Sequence, residues 1–152
     1  MAKNLFIAPT AIGSGLTSVC LGLLRALETE GVSVGFYKPF CQSVHEGEKQ
    51  HNDGRDTSVA FLRARSHLEP PEPMPLREAQ HLLNKGKADE LMETVVGEYQ
   101  KVADSVDVVV IEGLVPDQSE TYIGRLNVEV ARNLGSEVIL VATPEGRTAE
   151  VL

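Results

Sequence analysis

Four short apolar runs punctuate the chain: Leu5–Ala8, Val32–Tyr37, Val106–Ile111 and Val138–Ala142. The third, Val106-Asp107-Val108-Val109-Val110-Ile111, is β-branched and nearly continuous, the pattern of a parallel strand covered on both faces. Between the runs the spacing of apolar positions becomes helical. Leu16–Glu28 sets Leu16, Val19, Cys20, Leu23, Leu24 and Leu27 on one stripe. Gly31 follows where a left-handed residue would end that helix. Asp56–Arg65 predicts a short helix with Asp56 or Thr57 at its start, where a side-chain oxygen can cap free N–H groups. Glu78–Lys85 and Lys87–Ala103 predict two more, parted by Gly86, and Leu126–Leu134 another, ended by Gly135. Strands alternating with helices predict an α/β fold: an open, mostly parallel sheet flanked by helices, with right-handed crossovers.

Two stretches break this rhythm. Cys41–Arg55 is polar and reads as a mobile loop, and Leu68–Pro75 is extended and stiffened by four prolines. Neither is long enough to divide the chain, so residues 1–152 read as one domain, without internal repeats or low-complexity tracts. The last ten residues, Thr143–Leu152, read as a loop and the first turn of a further helix. The expectation is a C-terminally truncated piece of a longer polypeptide.

Composition narrows the partners. A net charge of −8 opposes general nucleic-acid binding, which requires a basic footprint. No apolar run reaches the length of a membrane span, and no signal-peptide core precedes the first strand. Two cysteines make no disulfide framework, so a reducing, cytoplasmic setting is expected. Cys20 reads as a small core residue in a helix and Cys41 as a loop residue with a minor prospect of redox or ligand chemistry.

The candidate chemistry begins in the loop Pro9–Thr17, between the first strand and the first helix. That is the setting of a phosphate-binding P-loop, G-x-x-x-x-G-K-[ST]. Here Pro9 stands at the first glycine position and Leu16 at the lysine position, while Gly15 and Thr17 remain. Backbone N–H groups of Gly13, Ser14 and Gly15 can hold an anion at the helix N-terminus, with Thr10 beside them and the Thr17 hydroxyl offered to Mg²⁺. The plain alternative is a glycine turn that merely starts a helix, with Leu16 packed inward.

Lys38 and Glu112 end the second and third strands, the sheet edge where open α/β folds bind ligands. Lys38 is placed to face the first loop, or else snorkels at a strand end. Glu112 suits a Mg²⁺ ligand or a water-positioning group, because a charge after a buried strand must be paired or solvated in a cleft. Asp56 can reach the same place or simply cap its helix. His45, His51, His67 and His81 show no metal-binding spacing, and no G-x-S-x-G elbow is present.

Together Phe6–Thr17, Tyr37-Lys38-Pro39, Asp56 and Val110-Ile111-Glu112-Gly113 resemble the dethiobiotin synthetase-like P-loop proteins, which include cobyrinic acid diamide synthases. The resemblance implies ATP phosphates on the first segment, substrate and phosphate on Lys38, and Mg²⁺ on Asp56 and Glu112, beside the Thr17 hydroxyl that the loop motif offers to the same ion. Gly15-Leu16-Thr17-Ser18-Val19, Lys38-Pro39-Phe40, Val109–Pro116 and Leu126-Asn127-Val128-Glu129-Val130-Ala131 more closely resemble the N-terminal domain of long-form bacterial phosphate acetyltransferases. That resemblance implies a regulatory and assembly domain with a degenerate P-loop, itself non-catalytic. Its partners would be a C-terminal acyltransferase domain, a small-molecule effector such as a nucleotide (ATP or NADH, with Mg²⁺), and further copies in a homo-oligomer. The alternative is a free-standing ATP-dependent enzyme of the dethiobiotin synthetase or cobyrinic type, with Lys38 as surrogate for the missing cation.

Overall fold

Successive side chains of a strand point to opposite faces of its sheet, and that alternation decides which of them meet at the sheet's edge. The computed structural model describes residues 1–42, 56–116 and 122–142. Its strands are β1 (Lys3–Pro9), β2 (Val34–Tyr37), β3 (Phe40–Cys41), β4 (Met74–Pro75), β5 (Val108–Glu112) and β6 (Glu137–Val141). Its helices are α1 (Leu16–Thr29), α2 (Thr57–Arg65), α3 (Leu76–Asn84), α4 (Ala88–Ala103) and α5 (Tyr122–Asn133). Four strands form one sheet in the order β2-β5-β1-β6, and every pairing is parallel. The expected α/β sheet flanked by helices is therefore the observed one.

The two faces of the sheet carry separate cores. Phe6, Tyr37, Val109 and Ile111 pack with α3, α4 and α5 through Ala79, Leu91, Val95, Tyr99, Ile123, Leu126 and Val130. Ile7, Val34, Phe36 and Val110 pack with α1 and α2 through Leu16, Cys20, Leu24, Val59 and Leu62. Each fully buried Val, Leu, Ile or Phe among them stabilises the fold by about 1.5–3 kcal/mol. On α1 the expected stripe holds at Leu16, Cys20 and Leu24, but Val19 turns outward at 39% exposure. One polar bridge crosses the first core: Tyr99 Oη donates to Asn4 Oδ1 at 2.7 Å, and Asn4 Nδ2 donates to the Leu134 carbonyl at 2.6 Å.

Helix ends follow the glycines: Gly31, Gly86 and Gly135 all take positive φ, where other residues are strained. Two helices start earlier than periodicity suggested. α3 begins at Leu76, directly after Pro75, and α5 at Tyr122, where Ile123 extends the buried stripe of Leu126 and Val130 by one turn. The pairing of β3 with β4 is also new; it draws the end of the proline-rich segment beside Pro39, and places Cys41 at a strand end rather than in a loop. The readings of the rest of the 41–55 loop, of His45 and His51, and of Thr143–Leu152 fall outside the described residues.

β6 is an edge strand, and Val138, Ile139 and Leu140 are 53%, 38% and 69% exposed. Unpaired edges with apolar side chains template further pairing. The 152-residue polypeptide is therefore expected to self-associate as concentration rises. Leu140→Lys should return its light-scattering mass toward that of a monomer; an unchanged mass would place the contact elsewhere.

Candidate functional site

After Pro9 the chain turns twice through the left-handed region, at Gly13 (φ 77°) and Gly15 (φ 75°), and enters α1. Only glycine takes that backbone freely. Thr10 anchors the start of the loop by donating from its N–H to the Val141 carbonyl at 2.9 Å. Gly15 caps α1 without a side-chain hydrogen bond, and the first turn holds no acidic residue. The leading N–H groups of the helix thus keep their partial positive charge. They open on a cleft of about 230 Å³ lined by Gly13, Ser14, Gly15, Thr17, Lys38, Ser58 and Glu112, among others. Leu16 also borders it but is buried in the α1-side core, so the position of a P-loop lysine supplies packing instead of charge.

Lys38 and Glu112 meet for a reason of parity. Lys38 lies two residues beyond Phe36 and Glu112 two beyond Val110, so both face α1 at the carboxyl ends of β2 and β5. Lys38 Nζ lies 2.8 Å from Glu112 Oε1 and 3.0 Å from Asp56 Oδ2. It also donates to Ser58 Oγ at 3.1 Å. All three charged residues are buried. Asp56 does both things expected of it: Oδ1 caps α2 by accepting the Val59 N–H at 3.1 Å, and the carboxylate holds Lys38. Burial alone would lower the Lys38 pKa; the Glu112 and Asp56 carboxylates outweigh it and hold the ammonium above its ordinary range.

Ser58 completes the network, and sequence reasoning did not single it out. Its hydroxyl donates to Glu112 Oε1 at 3.0 Å and stands 3.1 Å from Thr17 Oγ1. Since the serine proton goes to Glu112, Thr17 is the donor to Ser58. Glu112 Oε2 is buried, and among the described residues it accepts no N–H or O–H hydrogen bond, while the Cys20 thiol lies against the same carboxylate. Gln42, also missed, pins the chain after β5: its side-chain amide donates to the Val115 carbonyl at 2.9 Å and accepts the Val115 N–H at 2.8 Å. Asn127 grips Leu114 in the same two-way manner, with both bonds at 2.8 Å. A serine in a helix's first turn and a glutamine in a polar run carry no spacing signal that would have marked them.

The cysteines are quiet. Burial, with Glu112 adding to it, pushes the Cys20 thiol far up, and Cys20 is fully enclosed. Burial also pushes Cys41 up to about 11, with the Asp56 carboxylate reinforcing it, so neither is a ready thiolate near neutral pH. His67 and His81 lie apart from the cleft's lining.

Thr17, Asp56 and Glu112 do come together, as a Mg²⁺ site would require. Their fit to the ion is poor. Lys38 Nζ occupies the space between the two carboxylates, and Thr17 is turned to Ser58. Among the described residues no group of three or more His, Cys, Asp or Glu could hold a metal, and no helix is long and apolar enough to cross a membrane.

The chain is similar to several known proteins. The phosphate acetyltransferase of Pseudomonas aeruginosa is 46% identical over 144 residues, covering 94% of this chain and 20% of that protein. That of Pseudomonas putida is 42% identical over 151 residues, covering 99% and 21%. The Escherichia coli enzyme is 33% identical over 153 residues, covering 100% and 21%. The chain thus spans about a fifth of the length of these curated relatives. Among solved structures, an APS kinase of Mycobacterium tuberculosis matches with a TM-score of 0.41 and 17% identity, over 97% of this chain and 80% of that one. The profile of the AAA domain family matches residues 3–152, and with the parallel sheet and the loop-to-helix cleft in place, this chain belongs to that family.

Proposed function

We propose that this chain is the N-terminal regulatory and assembly domain of a phosphate acetyltransferase, a protein that interconverts acetyl-CoA and phosphate with acetyl phosphate and CoA. The observation that carries the reading is the match of nearly the whole chain to about a fifth of three proteins bearing that name. In this reading the acyltransferase chemistry resides in a C-terminal domain of the same cytoplasmic polypeptide, which assembles as a homo-oligomer. The cleft at the start of α1 holds the anionic part of a small-molecule effector, a nucleotide such as ATP or NADH being the class suited to a P-loop fold. Thr10, Gly13, Ser14, Gly15 and Thr17 supply the cradle, and Lys38 and Glu112 its polar wall.

Leu16 supports binding without turnover, since phosphoryl transfer depends on a cation against the phosphates. The alternative of a working ATP-dependent ligase needs Lys38 free to act as that cation. Its engagement by Asp56 and Glu112 weighs against that role.

The deciding experiment assays acetyl-CoA formation from acetyl phosphate and CoA by the intact protein from its natural source. Activity supports the reading, and a pure, intact protein without it overturns it. A second expectation concerns Leu16→Lys. An added charge-assisted contact should tighten ATP binding about tenfold, read by calorimetry. Unchanged affinity would mean that no phosphate lodges at that turn.

A further inference from the structure

We propose that the Lys38 ammonium occupies the divalent-cation position of this cleft, so that the cleft takes its anionic ligand without a metal ion. This rests on the reading of the cleft as an anion site, and specifies how that site is balanced. Lys38 Nζ lies within 3.2 Å of both Asp56 oxygens, of Glu112 Oε1 and of Ser58 Oγ. Those are the oxygen donors at the cleft that a hard cation would draw on. Mg²⁺ needs near-octahedral oxygens at about 2.0–2.1 Å and keeps several waters. Here the donors are spread around an ammonium at hydrogen-bond distances, and a divalent ion set beside it would meet a like charge. The hydroxyl chain is directed to the same end. Thr17 gives its proton to Ser58, Ser58 gives its proton to Glu112, and Ser58 still accepts from Lys38. Two carboxylates and one ammonium leave the cluster one negative charge in excess. The anion must therefore be held by the N–H groups of Gly13–Ser18 rather than by Lys38.

The test is Mn²⁺ binding, followed by electron paramagnetic resonance, to the full-length protein and its Lys38→Met variant. The wild type should leave Mn²⁺ free at this cleft. Lys38→Met, which opens the space between Asp56 and Glu112, should bind the ion at least tenfold more tightly and be protected by it against heat. Wild-type Mn²⁺ binding that disappears in Glu112→Gln overturns the proposal, as does a folded Lys38→Met with no gain. Folding of Lys38→Met only when Mn²⁺ is added supports it. Should that variant fail to fold at all, ATP binding to the wild type decides. Equal affinity with Mg²⁺ and with chelator supports the proposal, and a tenfold or greater dependence on Mg²⁺ overturns it. A wild type that binds no ATP in either condition while Lys38→Met gains Mn²⁺ removes the anion site and leaves the exchange of cations standing. Loss of the acetyltransferase reading, by the activity assay, touches neither.

Discussion

Lys38→Met lowers the stability of the fold by about 3–5 kcal/mol, the usual consequence of removing one partner from a buried ion pair. The effect is large because two carboxylates depend on one ammonium. Asp56 and Glu112 are 4% and 3% exposed, and without Lys38 they face each other uncompensated. Ser58 also loses a donor. Chemical denaturation followed by circular dichroism measures the loss, and a change below about 1 kcal/mol would show that water reaches the cluster freely. The pH dependence carries a sign. The Lys38 pKa is raised on folding above its ordinary 10.5, so its contribution is fully present below that value and disappears as pH rises through the higher, folded one. Wild type should therefore lose stability on the alkaline side through this group, and Lys38→Met should lack that component.

Much of this cluster was legible beforehand, because strand parity and strand ends are sequence properties. Four apolar runs located the sheet, and Lys38 and Glu112 end two of them at its ligand-binding edge, while the register that puts both on one face came from the structure. The missing P-loop lysine was equally plain, while the inward packing of Leu16 stood only as the alternative to the anion-binding reading. Side-chain partnership was not legible. Whether Lys38 would meet a ligand or two carboxylates depends on where α2 docks, and nothing in Thr57–Arg65 specifies that docking. Ser58 stayed hidden for the same reason: its role comes from the approach of α2 to β5, not from any pattern around it. The two-residue strands β3 and β4 escaped because two residues have no periodicity. The early start of α5 was legible but overlooked, since Ile123, three residues before Leu126, continues its buried stripe.

The glycine after Glu112 leads to the second large effect, at Phe6. Phe6→Ala should cost about 3–5 kcal/mol, since the ring is 2% exposed in the core beneath α4 and α5 and its removal leaves a cavity that rigid strands cannot close. That ring also explains why residue 113 has no side chain. A Cβ there would lie 2.9 Å from Phe6 Cε1 and Cζ, and 3.0 Å from the Ile7 carbonyl oxygen that accepts the Gly113 N–H. Gly113→Ala alone should therefore cost about 1–3 kcal/mol by overpacking. It also pushes on the residue that holds Lys38, and should weaken ligand binding at the cleft along with stability. The double variant separates the two contacts. With the ring gone the added methyl meets only the Ile7 carbonyl, so the pair should cost less than the two single losses added together, by about 0.5–3 kcal/mol. Strict additivity in denaturation midpoints would mean that the backbone contact alone excludes a side chain at 113. In that case the glycine is required by β1's main chain, whichever side chain stands at residue 6.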